Sequence, residues 1–274
     1  MGPVVEVVHV LALHGFLGQG QDWQLVQNTI NIAQAQSPHA ASFKVQWLTP
    51  SLFSNQSAKA QNTLNSQDIS DTSDTTLWDL SSFESVTQQI LQSVSQIPGK
   101  KIFVGYSLGG RIGLHLMEKA PQEFEHFIFL STHSGLLSAI EKQARLQQDE
   151  SWTQTIQNNS WEDFLQKWNQ QSVFDNKQNP IRLASDFSKT ALAESMLNLS
   201  LAKQKNFNQD IQSFRHKITW AVGQKDSKFV HFANELIENK ILNEKKELDA
   251  GHRVLLDSPS QVADLILKAI LTII

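Results

Sequence analysis

The chain has 274 residues, 40% of them hydrophobic, a formal charge of −4 and no cysteine. This length suits one α/β domain with an inserted subdomain and a substantial core. The absence of any basic block argues against a nucleic-acid partner, although a local basic pocket is still allowed, and the lack of thiols excludes disulfides, thiolate catalysis and cysteine metal sites and fits a reducing, cytoplasmic setting.

Val4–Leu13 is rich in valine, is interrupted by Glu6 and His9, and has no basic leader. It reads as a buried strand rather than a signal peptide. It runs into the glycine-containing loop His14-Gly15-Phe16-Leu17-Gly18. Asp22 is expected to cap a helix over Trp23–Ala35, and Val45–Leu48, closed by Pro50, is a short strand. Ser51–Thr76 is dominated by Ser, Asn, Gln, Asp and Thr and reads as a long polar loop. Phe83–Ile97 reads as a helix stopped by Pro98-Gly99. Strand Ile102–Val104, helix Gly110–Ala120 and strand His126–Leu130 follow.

From Ser134 to Phe214 strand candidates nearly vanish, helix formers dominate, and Trp152, Trp161 and Trp168 are spread along the stretch. The strand pattern resumes at Ile218–Val222, followed by the turn Gly223-Gln224-Lys225-Asp226, helix Phe229–Asn239, strand Lys246–Leu248 and helix Gln261–Ile274. The apolar end, Leu265–Ile274, contains Lys268 and falls short of the roughly 18 apolar residues of a membrane span, so no membrane anchor is expected. Alternating strands and helices predict an α/β fold with a mostly parallel sheet covered on both faces. The core is expected at 1–133 and 215–274, and a helical cap at 134–214.

The chemistry-bearing motif is Gly105-Tyr106-Ser107-Leu108-Gly109-Gly110-Arg111, placed directly after an apolar strand and before a helix. A Gly-x-Ser-x-Gly segment in that setting is a nucleophile elbow: the glycines permit the sharp turn that presents the serine. A serine hydroxyl needs a histidine to take its proton and an acid to orient that histidine. The chain order Ser, acid, His is filled by Ser107, by Asp226 in a post-strand turn, and by His252 in Asp249-Ala250-Gly251-His252. Asp249 and Asp257 lie too close to His252 in sequence to be the usual orienter. Oxyanion donors are expected from the backbone N–H groups of Leu108 and of Phe16 in the first loop. Arg111 lies one helical turn after Ser107 and can share its face, which suits an anionic substrate. No His pair has a metal-site spacing, so neither a metal nor a cofactor is expected.

The chain resembles the SHCHC synthase family (2-succinyl-6-hydroxy-2,4-cyclohexadiene-1-carboxylate synthases) of the α/β-hydrolase fold. The likeness is carried by Leu13-His14-Gly15-Phe16-Leu17-Gly18 with Asp22-Trp23, by the Gly105–Arg111 elbow, by Ala144-Arg145, by Trp168-Asn169-Gln170-Gln171-Ser172-Val173-Phe174, by Asp226-Ser227-Lys228-Phe229 and by Ala250-Gly251-His252. It implies that Ser107, Asp226 and His252 form the triad, that Arg111 and Arg145 hold substrate carboxylates, and that Tyr106 and Trp168 line the pocket. Arg182, slightly off the family register, is the nearest counterpart of a third arginine, and His133 is a further lining candidate. The implied reaction removes a proton and expels pyruvate from a small polycarboxylate, with Ser107 as base, in a monomer or weak homo-oligomer. One departure stands out. The family's Asp-x-Pro-Gly-His-Gly-x-Ser loop is replaced by Leu48-Thr49-Pro50-Ser51-Leu52-Phe53. An ester or thioester hydrolase using the same triad, and a non-catalytic binding module on the same fold, are the alternatives.

Overall fold

In the computed structural model, residues 5–36, 43–54, 78–174 and 179–274 are described. Most of the expected Ser51–Thr76 loop lies outside them. The described strands are β1 (Glu6–Leu13), β2 (Phe43–Leu48), β3 (Lys100–Tyr106), β4 (His126–Leu130), β5 (Ile218–Gly223) and β6 (Lys246–Leu248). They form one sheet in the order β2-β1-β3-β4-β5-β6, with every pairing parallel.

Successive side chains of the strands enter different cores, as the two-residue period of a strand requires. Leu11, Leu13, Phe103, Phe127, Phe129, Trp220 and Val222 point to one face. Val8, Val10, Ala12, Ile102, Val104, Ile128, Leu130 and Ala221 point to the other. Helices α1 (Gln24–Gln36) and α10 (Pro259–Ile273) bury Val26, Ile30, Val262, Ile266 and Ile270 in the second core. Helices α2 (Phe83–Ser95), α3 (Leu108–Lys119) and α8 (Ser227–Glu238) bury Val86, Ile90, Ile112, Leu116, Ala233 and Leu236 in the first. Burial of both faces explains why these strands read as apolar runs rather than alternating ones.

The helical stretch between β4 and β5 comprises α4 (Ala139–Asn158), α5 (Trp161–Asn169), α6 (Lys189–Asn198) and α7 (Asn208–Phe214). Ser138, Ser160 and Ser188 accept backbone N–H groups at the starts of α4, α5 and α6, which fixes where each helix begins. This stretch is tied to the sheet through the loop after β2. Ser54 pairs with Phe187, and the Ser188 N–H donates to the Phe53 carbonyl at 3.0 Å.

Several helix starts differ from the sequence expectation: the helix expected at Gly110–Ala120 begins at Leu108 and the one expected at Trp23–Ala35 begins at Gln24, and two further shifts have identifiable reasons. α8 begins at Ser227 because the Asp226 carboxylate caps it, and α10 begins at Pro259, a residue preorganised for the first helical position. Asp22 does not cap α1. It sits inside a 3-10 turn, Gly20–Trp23, and its carboxylate accepts the Gln19 N–H at 3.0 Å.

Strand β1 pairs with β2 on one side and β3 on the other, so the chain reverses direction across the sheet after β2. Such a switch point opens a crevice at the carboxyl ends of the flanking strands. The loops after Leu13 and Tyr106 both end there.

Candidate active site

Ser107 sits between β3 and α3 with φ 51° and ψ −108°. A non-glycine residue in this region stores strain of about 1–3 kcal/mol and persists only where its surroundings enforce it. Here the Ser107 N–H donates to the Leu130 carbonyl of β4 at 2.9 Å, and its carbonyl accepts the Arg111 N–H at 3.0 Å. The glycines supply the clearance: a Cβ on Gly105 would lie 2.7 Å from the carbonyl carbon of Gly109 and from the Cα of Gly110.

Asp226 and His252 reach Ser107 from the carboxyl ends of β5 and β6. The His252 Nδ1–H donates to Asp226 Oδ2 at 2.6 Å, which leaves Nε2 facing Ser107 Oγ at 3.3 Å. Both partners are almost fully buried, at 5% and 6% exposure. Asp226 also accepts the Phe229 N–H of α8 at 3.4 Å, so one carboxylate starts a helix and fixes the imidazole. The other two acids near His252 are committed elsewhere. Asp249 pairs with Lys225, and Asp257 accepts the Gly251 N–H at 2.8 Å.

The β1 loop closes on the elbow from the other side. A Cβ on Gly15 would lie 2.9 Å from the Tyr106 ring and 3.4 Å from Ser107 Cβ, so only glycine lets the two loops approach. Phe16 follows, its ring 4.9 Å from Trp168 and 5.5 Å from Phe53. Leu108 is the first residue of α3, so its N–H is one that the helix itself cannot use. His14 braces this loop: Nδ1–H donates to the Gly15 carbonyl at 2.8 Å, and Nε2 accepts the Leu52 N–H at 3.0 Å. Complete burial lowers its pKa to about 4, so it is neutral in this role. The substituted loop after Pro50 therefore still docks on the site, through Leu52 and through Ser51 Oγ, which accepts the Gly20 N–H at 2.8 Å.

Cationic groups occupy two flanks. On the first, Arg111 lies over the Phe83 ring at 5.5 Å and donates one Nη–H to the Leu199 carbonyl at 2.8 Å. Burial, and next the positive charge of Arg145, lower its pKa to about 9; it remains charged at neutral pH but under-compensated. Arg145 meets the buried Asp149 through Nε alone, 2.9 Å from each carboxylate oxygen. Its Nη groups have no acceptor among the described residues. Lys228 is also close enough to Arg145 for repulsion, after desolvation, to lower its pKa. His133 stacks on Phe232 at 4.0 Å and accepts the Gly135 N–H at Nδ1, which places its proton on Nε2. Burial, with Lys228, Arg111 and Arg145 around it, lowers its pKa to about 3.

The second flank is a cleft lined in part by Phe16, Tyr106, Trp168, Phe174, Arg182 and Arg253. Arg182 reaches it but grips Asp22 bidentately, with Nη1–Oδ1 at 2.8 Å and Nη2–Oδ2 at 2.6 Å. Among the described residues, no group of three His, Asp or Glu could hold a metal ion, and no helix is long and apolar enough to cross a membrane.

The profile of the α/β hydrolase fold family matches residues 8–259. The chain belongs to that family. Among its curated relatives, a putative 2-succinyl-6-hydroxy-2,4-cyclohexadiene-1-carboxylate synthase of Haemophilus influenzae is 30% identical over 238 residues, covering 84% of this chain and 85% of that one. The synthase of that name from Yersinia pseudotuberculosis is 27% identical over 230 residues, covering 81% and 74%. Among solved structures, MenH from S. aureus superposes with a TM-score of 0.72 at 17% identity, covering 98% and 95% of the two chains. A malate-bound thermophilic esterase from Thermogutta terrifontis gives 0.59 at 17% identity, covering 98% and 91%. These relationships make the chain an SHCHC synthase-like enzyme of the α/β hydrolase superfamily.

Within this family member the structure brings together Ser107, Asp226 and His252, sets Arg145 close enough for its charge to act on Arg111, and places Tyr106 and Trp168 on the cleft. Sequence reasoning missed Arg253, which immediately follows His252 and enters the cleft, and the partner of Arg182. A positive charge next to the expected base was the available signal for Arg253; nothing local announces an ion pair 160 residues apart.

Proposed function

We propose that this protein is an SHCHC synthase of menaquinone biosynthesis, a carbon–oxygen lyase that needs no cofactor. The observation that carries the reading is the Arg111–Arg145 pair: the buried Arg111, one helical turn from Ser107, feels the positive charge of Arg145, whose Nη groups have no acceptor among the described residues. A substrate carboxylate would relieve their repulsion and engage their planar forks. A neutral ester has no need of such a pair.

In the proposed reaction His252 Nε2 takes the Ser107 hydroxyl proton while Asp226 holds the imidazole and stabilises its charged form. The Ser107 oxygen then removes a carbon-bound proton of the polycarboxylate substrate. The carbon–oxygen bond to the pyruvyl group breaks, its electron pair leaves with the pyruvate enolate, and a ring double bond forms. No water is added, and pyruvate results when the enolate is protonated. The N–H groups of Phe16 and Leu108 stabilise negative charge as it develops. Tyr106 and Trp168 line the pocket, the helical stretch 134–214 acts as a cap over the core segments 1–133 and 215–274, and Arg182 shapes the far wall of the cleft.

Hydrolysis of a small anionic ester is the second reading, favoured by the replaced loop after Pro50. Incubation with the pyruvyl-bearing SHCHC precursor and, separately, with a p-nitrophenyl ester distinguishes the two. Pyruvate release that disappears in Ser107→Ala supports the lyase. Fast ester turnover without pyruvate release overturns it.

A further inference from the structure

We infer that Arg253 is a positioning residue that locks the roof of the cleft to His252. Its backbone and side chain are fixed by different parts of the molecule. The Arg253 carbonyl accepts the N–H groups of Leu256 and Asp257, both at 3.0 Å, in the short helix α9 (Val254–Asp257), and the His252 carbonyl accepts the Val254 N–H at 3.0 Å. Val254 and Leu255 of the same strip are buried among the residues of the second core, which anchors the chain that carries His252. The guanidinium, on a residue only 9% exposed, reaches across the cleft into the stretch between β4 and β5. It donates to Asn169 Oδ1 at 2.5 Å and to Asn179 Oδ1, and lies 4.1 Å from the centre of the Phe174 ring. Asn169 ends α5, so Arg253 ties the end of that helix to Asn179.

Phe174, just after α5, also touches the catalytic imidazole. The Phe174 ring is 6.0 Å from the His252 ring and 5.9 Å from Trp168, which in turn contacts Phe16. A roof that shifted would remove one wall of the imidazole's pocket. A guanidinium fits the task because its planar fork holds two amide oxygens while its face stacks on an aromatic ring. Lysine cannot do all three. Arg182 makes the neighbouring tie with Asp22, but it lies outside the strip carrying His252, whereas Arg253 adjoins His252 in the chain and carries its hydrogen bonds to Asn169 and Asn179. The inference rests on His252 acting as the base, as proposed above.

The test uses Arg253→Met, which keeps an apolar stem, and Arg253→Lys, which keeps the charge. Asn169→Ala attacks the same tie from the roof and serves if an Arg253 variant fails to fold. A misaligned base lowers turnover more than binding, so kcat of Arg253→Met should fall at least ~10-fold with KM within ~3-fold of the parent. Arg253→Lys should recover only part of the loss. Asn169→Ala should follow the same pattern more weakly, and the Arg253→Met/Asn169→Ala double variant should lose less than the product of the two effects. Amide hydrogen exchange without substrate should quicken across residues 161–174 in Arg253→Met. That readout is independent of which reaction the enzyme performs, so its failure is distinct from failure of the lyase reading. A rise in KM alone would make Arg253 a substrate ligand and overturn the inference. Unchanged kinetics with unchanged exchange would overturn it as well.

Discussion

The two flanks of Ser107 carry the same residue type in opposite electrostatic states. Arg111 feels the positive charge of Arg145, and Asp149, the acid that offsets it, is engaged through Arg145 Nε alone. Arg182, on the opposite flank, has both Nη groups bound by Asp22. The first arrangement leaves repulsion between two guanidinium groups for an anion to relieve, whereas in the second a carboxylate already fills the fork, although the buried Arg182 Nε has no hydrogen-bond partner among the described residues. An arginine in a cleft is therefore informative only once its carboxylate partners have been counted: a buried guanidinium whose charge is uncompensated is prepared for a ligand, and one with a carboxylate in its fork is part of the wall.

The largest effect expected is loss of the base. His252→Ala should lower kcat by roughly 10³-fold or more without unfolding the protein, checked by steady-state kinetics beside a thermal melt. Next comes the open flank. Arg111→Met should cost about 2–3 kcal/mol of transition-state binding, near 10²-fold in kcat/KM, because it removes a charge-assisted contact close to Ser107. The closed flank should respond differently. Arg182→Met should change kcat/KM less than ~10-fold but lower stability by about 1–3 kcal/mol, read from urea unfolding, because a part-buried Asp22 loses its partner. Equal kinetic losses at Arg111 and Arg182 would erase the distinction between the flanks.

A smaller effect concerns the brace between the loops. His14 titrates near 6.5 unfolded and at about 4 folded, so between those values the unfolded chain binds more protons. Its contribution to stability is complete above about pH 6.5 and is lost as pH falls toward 4, amounting to at most ~3 kcal/mol. His14→Gln should flatten the stability curve across that interval, measured by urea unfolding at stepped pH.

Much of the fold was legible in local patterns. His126–Leu130 and Lys246–Leu248 form strands at the residues read from sequence, because apolar runs bounded by turn residues leave few alternatives. Ser107, Asp226 and His252 were legible because each follows a strand, and in a parallel sheet all strand ends emerge on one side. Residues whose roles depend on remote partners were not legible. Asp22 looked like a helix cap and instead bonds the Gln19 N–H and Arg182. Arg253 drew no reading from the sequence and spans the cleft to Asn169 and Asn179. Such ties are set by tertiary packing and leave no periodic signature.

The proposed base role of Ser107 is tested most directly by intact-mass analysis of the enzyme quenched during a single turnover of the SHCHC precursor. The account predicts stoichiometric pyruvate with the protein mass unchanged at every time point, because Ser107 removes a proton and forms no bond to carbon. A transient mass increase mapping to Ser107 would contradict it and make the serine an acyl-accepting nucleophile.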